Sequence, residues 1–119
     1  GGVYYEPENT VIGKQVEQDV AMYNADIAVL SVNSISLKKG ITDFRMEESG
    51  IINAMIGNAE KAVAVADSSK FERVAHINVC PIRSISCFLT DSSMDSEVFA
   101  KYKKHGVEII MPGEDAAQI

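Results

Sequence analysis

Basic charge is scarce in this chain: 11 Lys and Arg stand against 17 Asp and Glu, a formal charge of −6. Nucleic-acid phosphates are gripped by basic patches, so this surface does not hold DNA or RNA unaided. Histidine is nearly missing, at two residues. His76 and His105 lie far from any acid–nucleophile pattern, which removes triad chemistry. Two cysteines are too few for a disulfide framework. Cys80 and Cys87, with Pro81 between them, have neither a zinc nor a redox spacing and read as small buried hydrophobes in a reducing, cytoplasmic setting. No metal or other cofactor is expected. No apolar run approaches the ~20 residues of a membrane span, and no charged-then-apolar leader opens the chain. Gly-x-Gly-x-x-Gly and Walker loops are missing too, so a nucleotide would lack its usual cradle. Repeats and low-complexity segments are also lacking.

What is present is one domain's worth of core. The 119 residues are 46% hydrophobic, ordinary globular composition. Strand-length apolar runs occur at Ile27–Leu30, Ala62–Ala66, Ser86–Leu89 and Val107–Met111, with Val3–Tyr5 as a further short candidate. Helical spacing recurs between them, at Lys14–Tyr23, Met46–Ala59 and Ser96–His105. That alternation predicts an α/β fold with a mostly parallel sheet and flanking helices. Three of the four runs lack polar alternation, as strands covered on both faces do. The last is broken by Glu108, which predicts an edge strand.

The Ser96 helix is the best signposted. Asp95 is its expected cap, Met94 and Phe99 a staple, and Gly106 its left-handed stop. Lys101, Lys103 and Lys104 complement its dipole as solvated side chains. In the Met46 helix, Ile51, Ile52, Met55, Ile56 and Ala59 form the buried stripe, and Thr42 or Asp43 stands in the cap region.

In open α/β sheets, ligands bind beyond the carboxyl ends of the strands. Three runs here end in small polar or charged residues: Asn33-Ser34, Asp67-Ser68-Ser69-Lys70 and Thr90-Asp91-Ser92-Ser93. Hydroxyls, loop amides and a lysine suit a phosphate, whereas carboxylates and amides suit sugar hydroxyls. The same residue types also make ordinary turns. Thr90–Ser93 reads better as a turn, and Asp67–Lys70 better as a site. Between Asn33 and Met46 runs a long polar loop in which Gly40 supplies a positive φ. Glu48, at the start of the Met46 helix, either complements the dipole or faces the cleft.

Ala66-Asp67-Ser68-Ser69-Lys70-Phe71 resembles the effector-sensing domain of the DeoR family of bacterial transcription repressors. Matching segments run along most of the chain. They are Gly1-Gly2 with Gly13, Ala25-Asp26, Val32-Asn33-Ser34-Ile35, Gly40-Ile41-Thr42, Glu47-Glu48, Ala54-Met55-Ile56, Val74-Ala75, Leu89-Thr90-Asp91 and Gly106-Val107-Glu108-Ile109-Ile110. The resemblance implies a sensor related in fold to ribose-5-phosphate isomerase and CoA transferases, without turnover. It implies a phosphorylated sugar as effector, operator DNA bound through a separate helix-turn-helix domain, and a homo-oligomer. Carried onto this chain, Asp67 and Lys70 become the leading effector contacts, with Asn33, Thr42 and Glu48 secondary. The chain departs from the family pattern at Ile52-Asn53, where a lysine is common before Ala-Met. The opening Gly1-Gly2-Val3, without Met, falls near the middle of such a sensor. Residues 1–111 are therefore expected to be its C-terminal portion, with 112–119 a tail, and the upstream phosphate loop missing. A sugar-phosphate isomerase or deaminase on the same fold, and a purely structural oligomerisation piece, are the alternatives.

Overall fold

The computed structural model describes residues 3–5, 10–12, 17, 18 and 24–113. Along the chain come β1 (Val3–Tyr5), β2 (Thr10–Ile12), β3 (Ala25–Ser31), β4 (Ser34–Ser36), β5 (Gly40–Asp43) and helix α1 (Met46–Gly57). Then follow β6 (Ala59–Val65), β7 (Ile77–Cys80), β8 (Cys87–Leu89), helix α2 (Ser96–Lys104) and β9 (Ile109–Ile110). β1 and β2 pair as an antiparallel hairpin. The main sheet is parallel, in the order β3-β6-β8-β9, and a smaller antiparallel sheet runs β4-β5-β7. The α/β class with a parallel sheet is thus as the apolar runs predict. The Lys14–Tyr23 helix lies largely outside the described residues, although Glu17 and Gln18 are helical. Of the tail, only Pro112 and Gly113 are described.

Parallel strands need long crossovers, and the chain supplies them with α1 between β3 and β6 and α2 between β8 and β9. Both helices pack on one face of the parallel sheet. There Ala28, Leu30, Ala62, Ala64, Phe88 and Ile109 form a single core with Ile52 of α1 and Tyr102 of α2. Met55 and Ile56 pack against it, as their spacing predicts, while Ile51 stays outside that cluster; the helix ends at Gly57, short of the Ala59 expected, and Ala59 packs there as the first residue of β6.

Helical cover on both faces is not what the structure shows. On the opposite face Val63, Cys87 and Ile110 form a separate small cluster, and no described helix residue joins it. Ile27, Val29 and Val65, on that same face, are 45%, 61% and 41% exposed. The strands are apolar on both sides, but one side carries no helix among the described residues. β9 is an edge strand, as Glu108 predicts, but it shrinks to two residues.

The loop expected between Asn33 and Met46 is instead a hairpin. Ser34, Ile35 and Ser36 pair with Thr42, Ile41 and Gly40, and Lys39 N–H donates to Ser36 Oγ at 3.1 Å to close the turn. β7, unanticipated from the sequence, pairs with β5. Nor do Thr42 and Asp43 cap α1. Its N-cap is Arg45, in extended conformation and with no side-chain cap bond.

Candidate functional site at the carboxyl edge

The backbone ladder continues past the strands. Val32 N–H donates to Val65 O at 3.4 Å, Ala66 N–H to Leu89 O at 3.1 Å and Thr90 N–H to Ile110 O at 3.0 Å. Asn33, Asp67 and Asp91 therefore leave β3, β6 and β8 as neighbours on one edge. The sheet brings together what lies far apart in the chain.

Asp67 opens a 3₁₀ turn at Ser68–Lys70 and caps it. Its Oδ1 accepts from Ser69 N–H at 2.9 Å and from the Ser69 hydroxyl. Those two bonds, with the nearby Lys70 ammonium, hold the Asp67 carboxyl below the usual range, against an opposing effect of Asp91. Asp91 ties the turns of two strands together. Its Oδ2 accepts from Ser68 N–H at 3.0 Å and its Oδ1 from Ser93 N–H at 2.9 Å, and it too is held low, chiefly by the Ser68 amide. Lys70 N–H and Phe71 N–H return to Asp67 O and Ser68 O. The amides of residues 68–71 are thus all engaged within the protein. The Ser69 hydroxyl is engaged as well, with Asp67, so the turn presents no free amide cradle, and the half-buried Lys70 is its one cationic residue.

The secondary candidates separate. Asn33 sits on the edge and donates from Nδ2 to both carboxylate oxygens of Asp43, each at 3.2 Å. Asp43 is 3% exposed and also accepts from Phe44 N–H at 2.6 Å. Thr42 is fully buried, its hydroxyl accepting from Ala75 N–H at 2.8 Å, so it joins β5 to the Val74–His76 segment. Glu48 lies in the first turn of α1, ion-paired with Arg45. Asn33, Asp67 and Lys70 share the edge; Thr42 and Glu48 belong to the elements behind it.

Sequence reasoning underrated Asp91 and Asp43. The signal for Asp91 was its place after a strand; its turn-forming role is real, and the same side chain also fastens the Asp67 turn. Nothing in the sequence tells that Asp43 would meet Asn33 across a hairpin.

A cavity of ≈ 350 Å³ opens at this edge, lined by Val65, Ala66, Asp67, Leu89, Thr90, Asp91 and Pro112. A second, also ≈ 350 Å³, opens at the amino ends of β3 and β6, where Asp26, Glu60 and the C-terminal end of α1 meet. Each cavity is lined by two carboxylates, Asp67 and Asp91 at the carboxyl edge and Asp26 and Glu60 at the amino edge, and Lys70 stands beside the first without lining it. No cluster of three or more potential metal ligands occurs among the described residues. No described helix is long and apolar enough to cross a membrane.

The architecture is a parallel α/β domain whose polar strand ends and lysine-bearing turn share one edge. Residues 1–92 match the family model of the DeoR C terminal sensor domain, and the chain belongs to that family. It is 29% identical over 114 residues to the putative aga operon transcriptional repressor of Escherichia coli O157:H7, covering 96% of this chain and 42% of that protein. With the HTH-type transcriptional repressor CsqR of Escherichia coli (strain K12) it shares 26% over 116 residues, 98% of this chain and 44% of the relative. The HTH-type transcriptional regulator GlpR of Haloferax volcanii is 26% identical over 110 residues, covering 92% and 43%. The chain spans less than half the length of these relatives, all of which are named transcriptional regulators or repressors and not enzymes.

Proposed function

We propose that this chain is the effector-binding portion, over residues 1–111, of a transcription repressor that responds to a phosphorylated sugar. The observation that carries the reading is the Asp67–Lys70 turn at the carboxyl edge, in a chain of the DeoR sensor family. Lys70 contacts the phosphate, and Asp67 and Asn33 contact hydroxyls. Effector binding favours one conformation or assembly of the regulator and so shifts its affinity for operator DNA. DNA contact falls to a part of the regulator outside this acidic segment. A homo-oligomer fits the apolar sheet face that Ile27, Val29 and Val65 leave exposed.

An isomerase or deaminase would need a carboxylate base poised near neutrality. Asp67 and Asp91, the carboxylates at this edge, are each engaged in fastening the backbone of their own turns, Asp67 at Ser69 and Asp91 at Ser68 and Ser93. Binding without turnover is the better reading.

Calorimetry with glucose 6-phosphate, fructose 6-phosphate and glycerol 3-phosphate, each beside its unphosphorylated counterpart, tests it. At least one phosphate ester is expected to bind where its parent polyol does not. Replacing Lys70→Ala should weaken that binding about tenfold, the loss of one charge-assisted contact. Equal affinity in wild type and the Lys70→Ala variant would remove the lysine from the site.

A further inference from the structure

The turn carrying Lys70 is closed on its far side by a residue in a backbone conformation that its own side chain disfavours. Glu72 has φ of 64°, the one non-glycine in the left-handed region among the described residues. Crowding of Cβ against the following carbonyl makes glycine the usual occupant there. Such outliers persist where surrounding contacts impose them. Here the contacts are visible. The Glu72 carboxylate pairs with Lys101 and accepts from the Tyr102 hydroxyl at 3.0 Å, both on α2. Tyr102 is fully buried, and its ring meets Phe71 edge-on at 5.5 Å, while Phe71 meets Phe88 at 5.8 Å. One residue on, Arg73 N–H donates to Ile35 O at 3.1 Å.

Lys70 thus stands between two anchors. Upstream, Asp67 and Asp91 fix Ser68 and Ser69. Downstream, Phe71 enters the core and Glu72 is fastened to α2. The upstream bonds, with the Lys70 and Phe71 amides returning to Asp67 O and Ser68 O, shape the turn itself, and the downstream set constrains the direction in which the chain leaves it. Lysine placement depends on both.

We propose that Glu72 is a positioning residue for the effector site: its grip on Lys101 and Tyr102 imposes the left-handed exit that sets Lys70 beside Asp67. The proposal rests on the reading of Asp67–Lys70 as the effector turn. It gives Lys101 a task beyond complementing the helix dipole, and it makes α2 and the turn a single mechanical unit.

The test compares wild type, Glu72→Gly and Glu72→Gln by amide hydrogen exchange and by titration with glucose 6-phosphate. Glycine accepts the left-handed backbone but removes the grip; glutamine keeps an acceptor for Tyr102. In Glu72→Gly, exchange at the Lys70 and Phe71 amides should accelerate about tenfold while β6 and β8 amides keep their rates, the pattern of local opening. Affinity for glucose 6-phosphate should fall about fivefold, with Glu72→Gln recovering part of both effects. Unchanged exchange at Lys70 and Phe71 overturns the proposal. So does a uniform acceleration through β6 and β8, which would make Glu72 a general stabiliser and nothing more. If wild type fails to bind the phosphate ester at all, the effector reading falls for that ligand, and the exchange measurement still decides the role of Glu72.

Discussion

At Gly40 the chain passes so close to its neighbours that one methyl group has nowhere to go. Its φ is 71°, and a Cβ built there would lie 2.4 Å from Cys80 O, 2.6 Å from Ile82 N and 2.8 Å from Pro81 C. All three are backbone atoms, so no side-chain rotation relieves the contact. Gly40→Ala combines a disfavoured dihedral with overpacking and should cost about 2–4 kcal/mol. In thermal unfolding that reads as a drop of roughly 10–20 °C for a domain of this size. A variant that unfolds within a few degrees of wild type would show that the hairpin can move off β7. The need for a positive φ at Gly40 was legible in the sequence. The reason for it, the close pass by Cys80 and Pro81, was not, because β7 itself was not recognised.

Among the elements, α2 was the most legible and β4, β5 and β7 the least. The cap, staple and stop signals written around α2 are realised, while the helix ends at Lys104, one residue short of His105, and Lys101 pairs with Glu72. Asp95 accepts from Val98 N–H at 3.2 Å, Met94 and Phe99 share the core, and Gly106 turns left-handed at φ 79°. These are local devices, readable within a few residues of the helix end. The small sheet has no such local signature. Ser34-Ile35-Ser36 is three residues long and two of them are polar; it is a strand because Gly40-Ile41-Thr42 returns beside it, and Ile77–Cys80 arrives from far along the chain to pair with that second strand. Pairing partners made those strands, one a few residues away and one far along the chain, and none carries the sustained alternation or apolar run by which a strand is read from sequence. The contrast yields a prediction for α2. Asp95→Ala removes its side-chain cap and should cost about 1 kcal/mol, with the loss appearing first as faster amide exchange at Val98. Because α2 holds Glu72, the same variant should also loosen the Lys70 turn slightly. An effect confined to the helix end would show that Lys101 and Tyr102 are fixed by packing alone.

At the scale of the molecule, the ionisable groups with displaced affinities among the described residues fall into two sets, and together they shape stability against pH. Asp67, Asp91 and Glu72 are held below their ordinary values, by Ser69, by the Ser68 amide and by Lys101 with Tyr102 respectively. A carboxylate lowered in the native state binds fewer protons there than in the unfolded chain, so its contribution is full above the unfolded value of about 4 and is lost as pH falls through the native value. Cys80, Cys87 and Tyr102 are displaced upward, each first by burial. Groups raised in the native state contribute fully below their unfolded values, about 8.5 for the thiols and 10 for the phenol, and lose that contribution as pH rises beyond them. Stability should therefore hold a plateau between roughly pH 5 and 8 and fall on both sides. The isoelectric point, ≈ 4.8, sits at the acid end of that plateau and not at its centre. Thermal unfolding from pH 3 to pH 10 checks the shape, and Glu72→Gln should flatten the acid limb because one of the lowered carboxylates is gone. A melting temperature that peaks at the isoelectric point would mean that net charge, and not these bonded groups, governs the stability of the domain.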